Sequence, residues 1–187
     1  PLKEVKNVNS DKDIKIAGDK PSASIKLNSI KPALDPKLTA EQTKSAKLWG
    51  EAVAIRFIKD ITESEIGERE SNLEMLTQRR MLLSFAASIG FETVTENDTL
   101  GGLALKSFLD TVKKNDPKHY VTAEDNGAFS FYYLAYRRGS EVERRIGQTF
   151  AMLCSHDGDP IYQELGEALY CWFLSVVKEE AQNLKII

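Results

Sequence analysis

The sequence predicts an all-α protein, a bundle of about six helices, and three observations predict it. From Thr39 onward, apolar residues recur three and four positions apart, the period of one helix face. Helix starts are marked by a capping side chain followed three residues later by Glu, Gln or Asp, as in Thr39/Gln42, Ser71/Glu74, Thr122/Asp125 and Ser140/Glu143. Helix stops are marked by Gly90, Gly139 and Pro117, each placed just after a periodic run.

Residues 1–37 precede this pattern and differ from it in composition. They hold eight lysines and five acids, with no arginine and no aromatic residue, so they are basic while the remainder is acidic. The expectation is an extended arm or linker that buries too little apolar surface to fold alone. Two short alternating pieces, Ile14-Lys15-Ile16 and Ser24-Ile25-Lys26-Leu27, could pair as a small hairpin around Gly18-Asp19-Lys20-Pro21. Residues 38–187 form the helical domain.

The first helix is expected over 39–62, with a wide apolar arc that includes Leu48, Trp49, Val53, Ile55 and Phe57. Residues 63–70 read as a connection or an extra turn. The second helix, 71–89, is apolar through "MLLSFAASI" and stops at Gly90. The third, 98–114, closes before Pro117. The fourth, 123–138, competes with a hairpin, because Phe, Tyr and Val suit strands and Asp125-Asn126-Gly127 suits a tight turn. Helix is the expectation, since a cap stands at one end and a glycine at the other. The fifth, 141–155, carries one clean stripe of Val142, Ile146, Phe150 and Leu153. The sixth, 160–183, opens on Asp159-Pro160, where the acid caps and the proline lacks only an N–H that the helix does not use. The wide arcs of the first, second and last helices place those three at the centre.

The bulk numbers restrict function. A chain of 187 residues with 42% hydrophobic and 28% charged residues can bury a real core. A net charge of −3 argues against a nucleic-acid-binding surface. Two cysteines make no disulfide framework, and no apolar run reaches the roughly 18 residues that cross a bilayer. A cytoplasmic location is the expectation, with secretion left open because the chain begins at Pro1 rather than Met.

The chemistry-bearing residues are few. "CSHDGDP" (154–160) gathers one cysteine, one histidine and two aspartates, but Cys154, His156 and the distant Cys171 lack the paired spacing of a zinc site. Cys171, inside "LYCWFL", reads as a small buried hydrophobe. His119 followed by His156-Asp157 resembles the first two parts of the pattern of HD-type phosphohydrolases. Those all-helical enzymes use a histidine, a later His-Asp dyad and a still later aspartate to hold a divalent metal that activates water against a phosphate ester. The resemblance implies His119, His156 and Asp157 as ligands. No aspartate follows Asp159, so Glu164 or Glu167 would have to take the last position.

Arginines cluster more tellingly. Six of the eight come in pairs, and Arg137-Arg138 and Arg144-Arg145 flank the Gly139-Ser140 turn at a helix start. Guanidinium forks and free helix amides together suit a phosphate or a partner's carboxylates. Glu141 and Glu143 offset part of that charge, with Glu141 placed to pair with Arg145. The aromatic run Phe129, Phe131, Tyr132, Tyr133 and Tyr136 covers more than one helix face, which suits core packing first and a pocket or interface second. By elimination the expectation is a non-enzymatic protein-interaction or regulatory module. Its partner would be another protein or a second copy, met through the arm, the aromatic helix or the arginine turn, with no cofactor. The alternatives are the metal-dependent phosphohydrolase and a small-molecule sensor with an aromatic pocket.

Overall fold

The computed structural model describes residues 38–67, 73–117, 120 and 128–187. The arm, the cap residues Ser71, Thr122 and Asp125, the Asp125-Asn126-Gly127 turn and His119 lie outside the described residues. Among the described residues six helices follow one another: α1 (Ala40–Gly67), α2 (Leu73–Thr93), α3 (Asp98–Asn115), α4 (Ala128–Arg137), α5 (Val142–Leu153) and α6 (Pro160–Asn183). No strand occurs among the described residues, so the all-α reading stands, and 128–137 is helix rather than hairpin.

Several helix ends are those that local sequence demands. The Thr39 N–H donates to Gln42 Oε1 (2.9 Å), and the Gln42 N–H donates to Thr39 Oγ1 (3.1 Å), a reciprocal capping box. Asn97 accepts from the Leu100 N–H at the start of α3 (3.1 Å). At the start of α6, Asp159 Oδ1 accepts from the Ile161 N–H (2.9 Å), with Pro160 in the first turn. α1 continues through "ESEIG" to Gly67, so these residues extend the helix rather than leave it.

Two expected boundaries are corrected. Gly90 does not stop α2, which runs on to Thr93. It sits within the helix because Val177 of α6 comes so close that a Cβ there would lie 2.9 Å from the valine Cγ1. Ser140 does not cap α5. The helix begins one residue later, and Glu141 occupies the cap position in the left-handed region (φ 49°, ψ 45°) without a side-chain cap bond.

The expected centre of α1, α2 and α6 is found: each of the three packs against the other two, and α2 also touches α3, α4 and α5. The burial of α2 explains its reach: Met75, Leu76, Met81, Leu82, Leu83, Phe85, Ala86, Ala87, Ile89 and Phe91 point in every direction around the axis and are all buried. α1 packs chiefly on α3, and α6 chiefly on α5. Both crossings are tight enough to require glycine. A Cβ on Gly50 would run into the Ala104 carbonyl oxygen and lie 2.8 Å from the Phe108 nitrogen. One on Gly147 would run into the Gln163 carbonyl oxygen. The apolar stripe of α1 is therefore narrower than its sequence suggests. Ala46, Trp49, Val53, Ala54, Phe57 and Ile61 are buried, whereas Leu48 and Ile55 are exposed.

Trp49 ties three helices together. Its indole N–H donates to the Val177 carbonyl of α6 (2.8 Å), and its ring meets Phe91 of α2 edge-on, 4.8 Å between centroids. At the opposite end of the α1–α2 pair, Arg79 grips Asp60 with two parallel bonds, Nε to Oδ2 at 3.0 Å and Nη2 to Oδ1 at 2.8 Å. α1 and α2 are thus antiparallel neighbours fixed at both ends.

Candidate interaction surface

α4 is the shortest helix and the most uniformly apolar, reading AFSFYYLAYR. Its inner side closes on Phe85 of α2. The Tyr132 ring stacks on it (5.7 Å, 29°), while Phe129 and Tyr136 meet it edge-on at 5.4 and 6.2 Å. Tyr170 of α6 stacks on the same ring from another side (6.3 Å). These rings fill the space around Phe85. Burial, then the nearby Glu92 and Tyr133, raise the Tyr136 phenol above its usual range.

The outer side of α4 is where composition and environment disagree. Phe131 is 49% exposed and Leu134 is 60% exposed. With about 100° between successive residues, Phe131, Leu134 and Arg138 share one narrow stripe. Ser130 and Arg137 lie beside Leu134 on this exposed side, so two large apolar side chains share the solvent-facing side with polar ones.

The stripe runs directly into the arginine turn. Arg137 lies over the Tyr133 ring, 5.0 Å from its centroid. Gly139 takes the left-handed conformation (φ 75°) that ends α4. Glu141, in the left-handed region as well, pairs with Arg144 at 3.4 Å rather than with Arg145, which corrects the expected partner. Arg145 instead turns inward. Its Nη2 donates to the Ser140 hydroxyl (3.1 Å), and its Nη1 is buried with no hydrogen-bond partner among the described residues. Of the four expected anion or partner residues, Arg137, Arg138 and Arg144 are exposed around the turn and Arg145 braces it from below.

The segment 154–160 serves a different purpose. Cys154 ends α5, Ser155 takes the left-handed conformation (φ 60°), and the His156 N–H donates back to the Ala151 carbonyl (2.9 Å). The His156 ring then lies flat on Tyr162 of α6, 3.8 Å between centroids and 8° between planes. Its Nδ1 is 3.9 Å from Asp159 Oδ2, so the carboxylate beside this imidazole is the α6 cap rather than Asp157, which is exposed. Among the described residues, no three His, Cys, Asp or Glu side chains form a group able to hold a metal.

The expectation for Cys171 is corrected. Cys171 is exposed and Cys154 is buried. Burial, then Glu74, push the Cys154 thiol up to about 12. Burial, then Glu143 and Glu167, raise Cys171. Both thiols are held protonated at neutral pH, the wrong state for a nucleophile.

A groove of about 290 Å³ between α1 and α6 is lined by Arg56, Lys59, Asp60, Glu63 and Trp172. Its charges are spent on neighbours: Arg56 on Glu180 (3.3 Å), Lys59 on Glu63 (3.7 Å) and Asp60 on Arg79. No helix among the described residues is long and apolar enough to cross a membrane.

Sequence reasoning noted Phe131 within the aromatic run but missed Leu134. A helical projection of 128–137 carries part of the signal, since it places Leu134 on the same side as Ser130 and Arg137. Tyr162, the partner of His156, had no signal at all because the contact crosses a turn. Compared with protein-family models, curated proteins and solved structures, the chain matches none.

Proposed function

We propose that the protein is a non-enzymatic interaction module whose contact surface is the outer stripe of α4 continued by the arginine turn. The observation that carries this reading is the exposure of Phe131 and Leu134 on a helix whose inner side is packed on the core. The exposed guanidinium groups of Arg137, Arg138 and Arg144 at the end of that stripe suit a partner segment that is apolar and acidic. Arginine and aromatic side chains are those that most often carry interface energy.

The test pairs two variants. Phe131→Ser/Leu134→Ser removes the apolar stripe, and Arg138→Glu/Arg144→Glu reverses the charge. These exposed changes should alter stability by no more than about 0.5 kcal/mol each. Both variants should keep the helical circular dichroism of the parent and lose partners captured by it. The charge variant should lose them most at low salt, because screening already weakens the charged part at high salt. Capture of the same partners by both variants would remove this surface from the function.

A further inference from the structure

The arginine turn carries a hydroxyl that the contact surface does not use. Ser140 is exposed, as are Arg137, Arg138, Gly139 and Glu141 around it, so an unbroken run of exposed residues joins α4 to α5. The Ser140 N–H donates to the Arg138 carbonyl across Gly139 (3.0 Å), which folds the turn tightly. The Ser140 hydroxyl accepts from Arg145 Nη2 of α5 (3.1 Å), so a guanidinium already touches the oxygen.

The residues before this hydroxyl are those that direct a kinase. Of all the serines and threonines in the chain, Ser140 alone has arginine at both the second and the third position before it. Kinases choose substrates by charge pattern, and carboxylates of the kinase read such a pair of cations. Arg137 and Arg138 are both exposed and so open to that reading.

We propose that Ser140 is a phosphorylation site for an arginine-directed serine kinase, and that Arg145 holds the phosphate once it is made. In the transfer, Ser140 Oγ bonds to the γ-phosphorus of ATP as the bond from that phosphorus to the β–γ bridging oxygen breaks. The hydroxyl proton passes to the base of the kinase, and ADP leaves. Arg145 Nη2 lies within hydrogen-bond reach of the oxygen that becomes the ester. The phosphate oxygens stand one atom further out, where the same planar fork meets them with charge-assisted bonds. Four arginines and two glutamates give residues 137–145 a net charge of +2. A phosphoserine carries about 1.5 to 2 negative charges at neutral pH and cancels most of it. Phosphorylation therefore weakens the hold on an acidic partner and leaves Phe131 and Leu134 in place, a consequence that rests on the function proposed above.

The folded full chain, treated with Mg-ATP and the catalytic subunit of a cyclic-AMP-dependent serine kinase, should take up phosphate on Ser140, as peptide mass mapping would show. Arg137→Gln/Arg138→Gln should slow that uptake about tenfold or more. No uptake by the folded chain, or uptake elsewhere with Ser140 unmodified, overturns the site. Phosphorus NMR tests the holder. A phosphoserine loses its second proton at about pH 6; a bound guanidinium lowers that value, whereas Glu141 and Glu143 alone would raise it. The folded phosphoprotein should titrate below the same protein in urea. An equal or higher value, or a difference that vanishes in the exposed Arg144→Gln variant, overturns Arg145 as the holder. Partners captured by the unmodified chain should be lost after kinase treatment and kept by treated Ser140→Ala. Equal capture before and after treatment overturns the charge switch, whereas no capture in either state fails the contact surface and leaves the phosphate site to stand or fall on uptake.

Discussion

At the scale of single residues, the two thiols give the sharpest expectation. Cys171 is exposed on α6 and Cys154 is buried at the end of α5. A thiol reagent should therefore titrate Cys171 in the folded protein and reach Cys154 only on unfolding. Cys171→Ser should abolish the native-state reaction, as peptide mass mapping would show. The same burial has a pH consequence. The Cys154 thiol moves from 9.0 to about 12 on folding, so the fold favours its neutral form. That contribution is fully present below pH 9 and is lost as pH rises through about 12. Tyr132 and Tyr170 are raised in the same sense by burial and extend the loss upward from their ordinary value of 10.0. The denaturation midpoint should stay flat up to about pH 9 and fall beyond it, and Cys154→Ala should make the first part of that fall shallower. An equal fall in the alanine variant would assign the alkaline limb to other groups.

At the scale of elements, the structure separates caps that work from caps that only look right. Asp159 bonds the Ile161 N–H at the start of α6, so Asp159→Ala should cost about 1 kcal/mol. Ser140 bonds an arginine instead of a helix amide, so Ser140→Ala should stay within about 0.5 kcal/mol in the same urea titration. The crossings behave oppositely to helix propensity. Replacing a helical glycine with alanine ordinarily gains about 1 kcal/mol. At Gly50 the new methyl would meet backbone atoms of α3, so Gly50→Ala should instead cost about 1–3 kcal/mol. What the sequence showed in advance follows this division. The Thr39/Gln42 box, the Asp159-Pro160 start and the Ile146–Phe150 stripe were legible because neighbours along the chain determine them. Gly90 and Ser140 were misread because packing decides them, as were the exposures of Cys171 and Ile55. Val177 needs the space beside Gly90, and Arg145 takes the Ser140 hydroxyl. The candidate surface was half legible for the same reason: the arginine pairs are visible in the sequence, but the exposure of Phe131 and Leu134 depends on which side of α4 meets Phe85.

At the scale of the whole molecule, the arrangement around α2 fixes how the protein should come apart. α2 shares an interface with each other helix, so it links the α1–α3 pair to the α5–α6 pair. Phe85 sits where α2, α4 and α6 meet, in contact with Phe129, Tyr132, Tyr136 and Tyr170. Phe85→Ala should cost about 3–5 kcal/mol, the range for a buried aromatic cut to a methyl. A domain of this size has only about 5–15 kcal/mol to lose, so the variant should be marginal at room temperature. The two tryptophans report on different helices: Trp49 is buried in α1, and Trp172 is partly exposed on α6. With Trp172→Phe, Tyr120→Phe, Tyr162→Phe and Tyr170→Phe as background, Trp49 fluorescence, far-ultraviolet circular dichroism and the tyrosine signal of α4 should give one shared unfolding midpoint. That midpoint should move as a whole when Phe85→Ala is added. An earlier tyrosine transition would mean that α4 leaves the bundle by itself, and the contact surface would then lie on a detachable helix rather than on a rigid face.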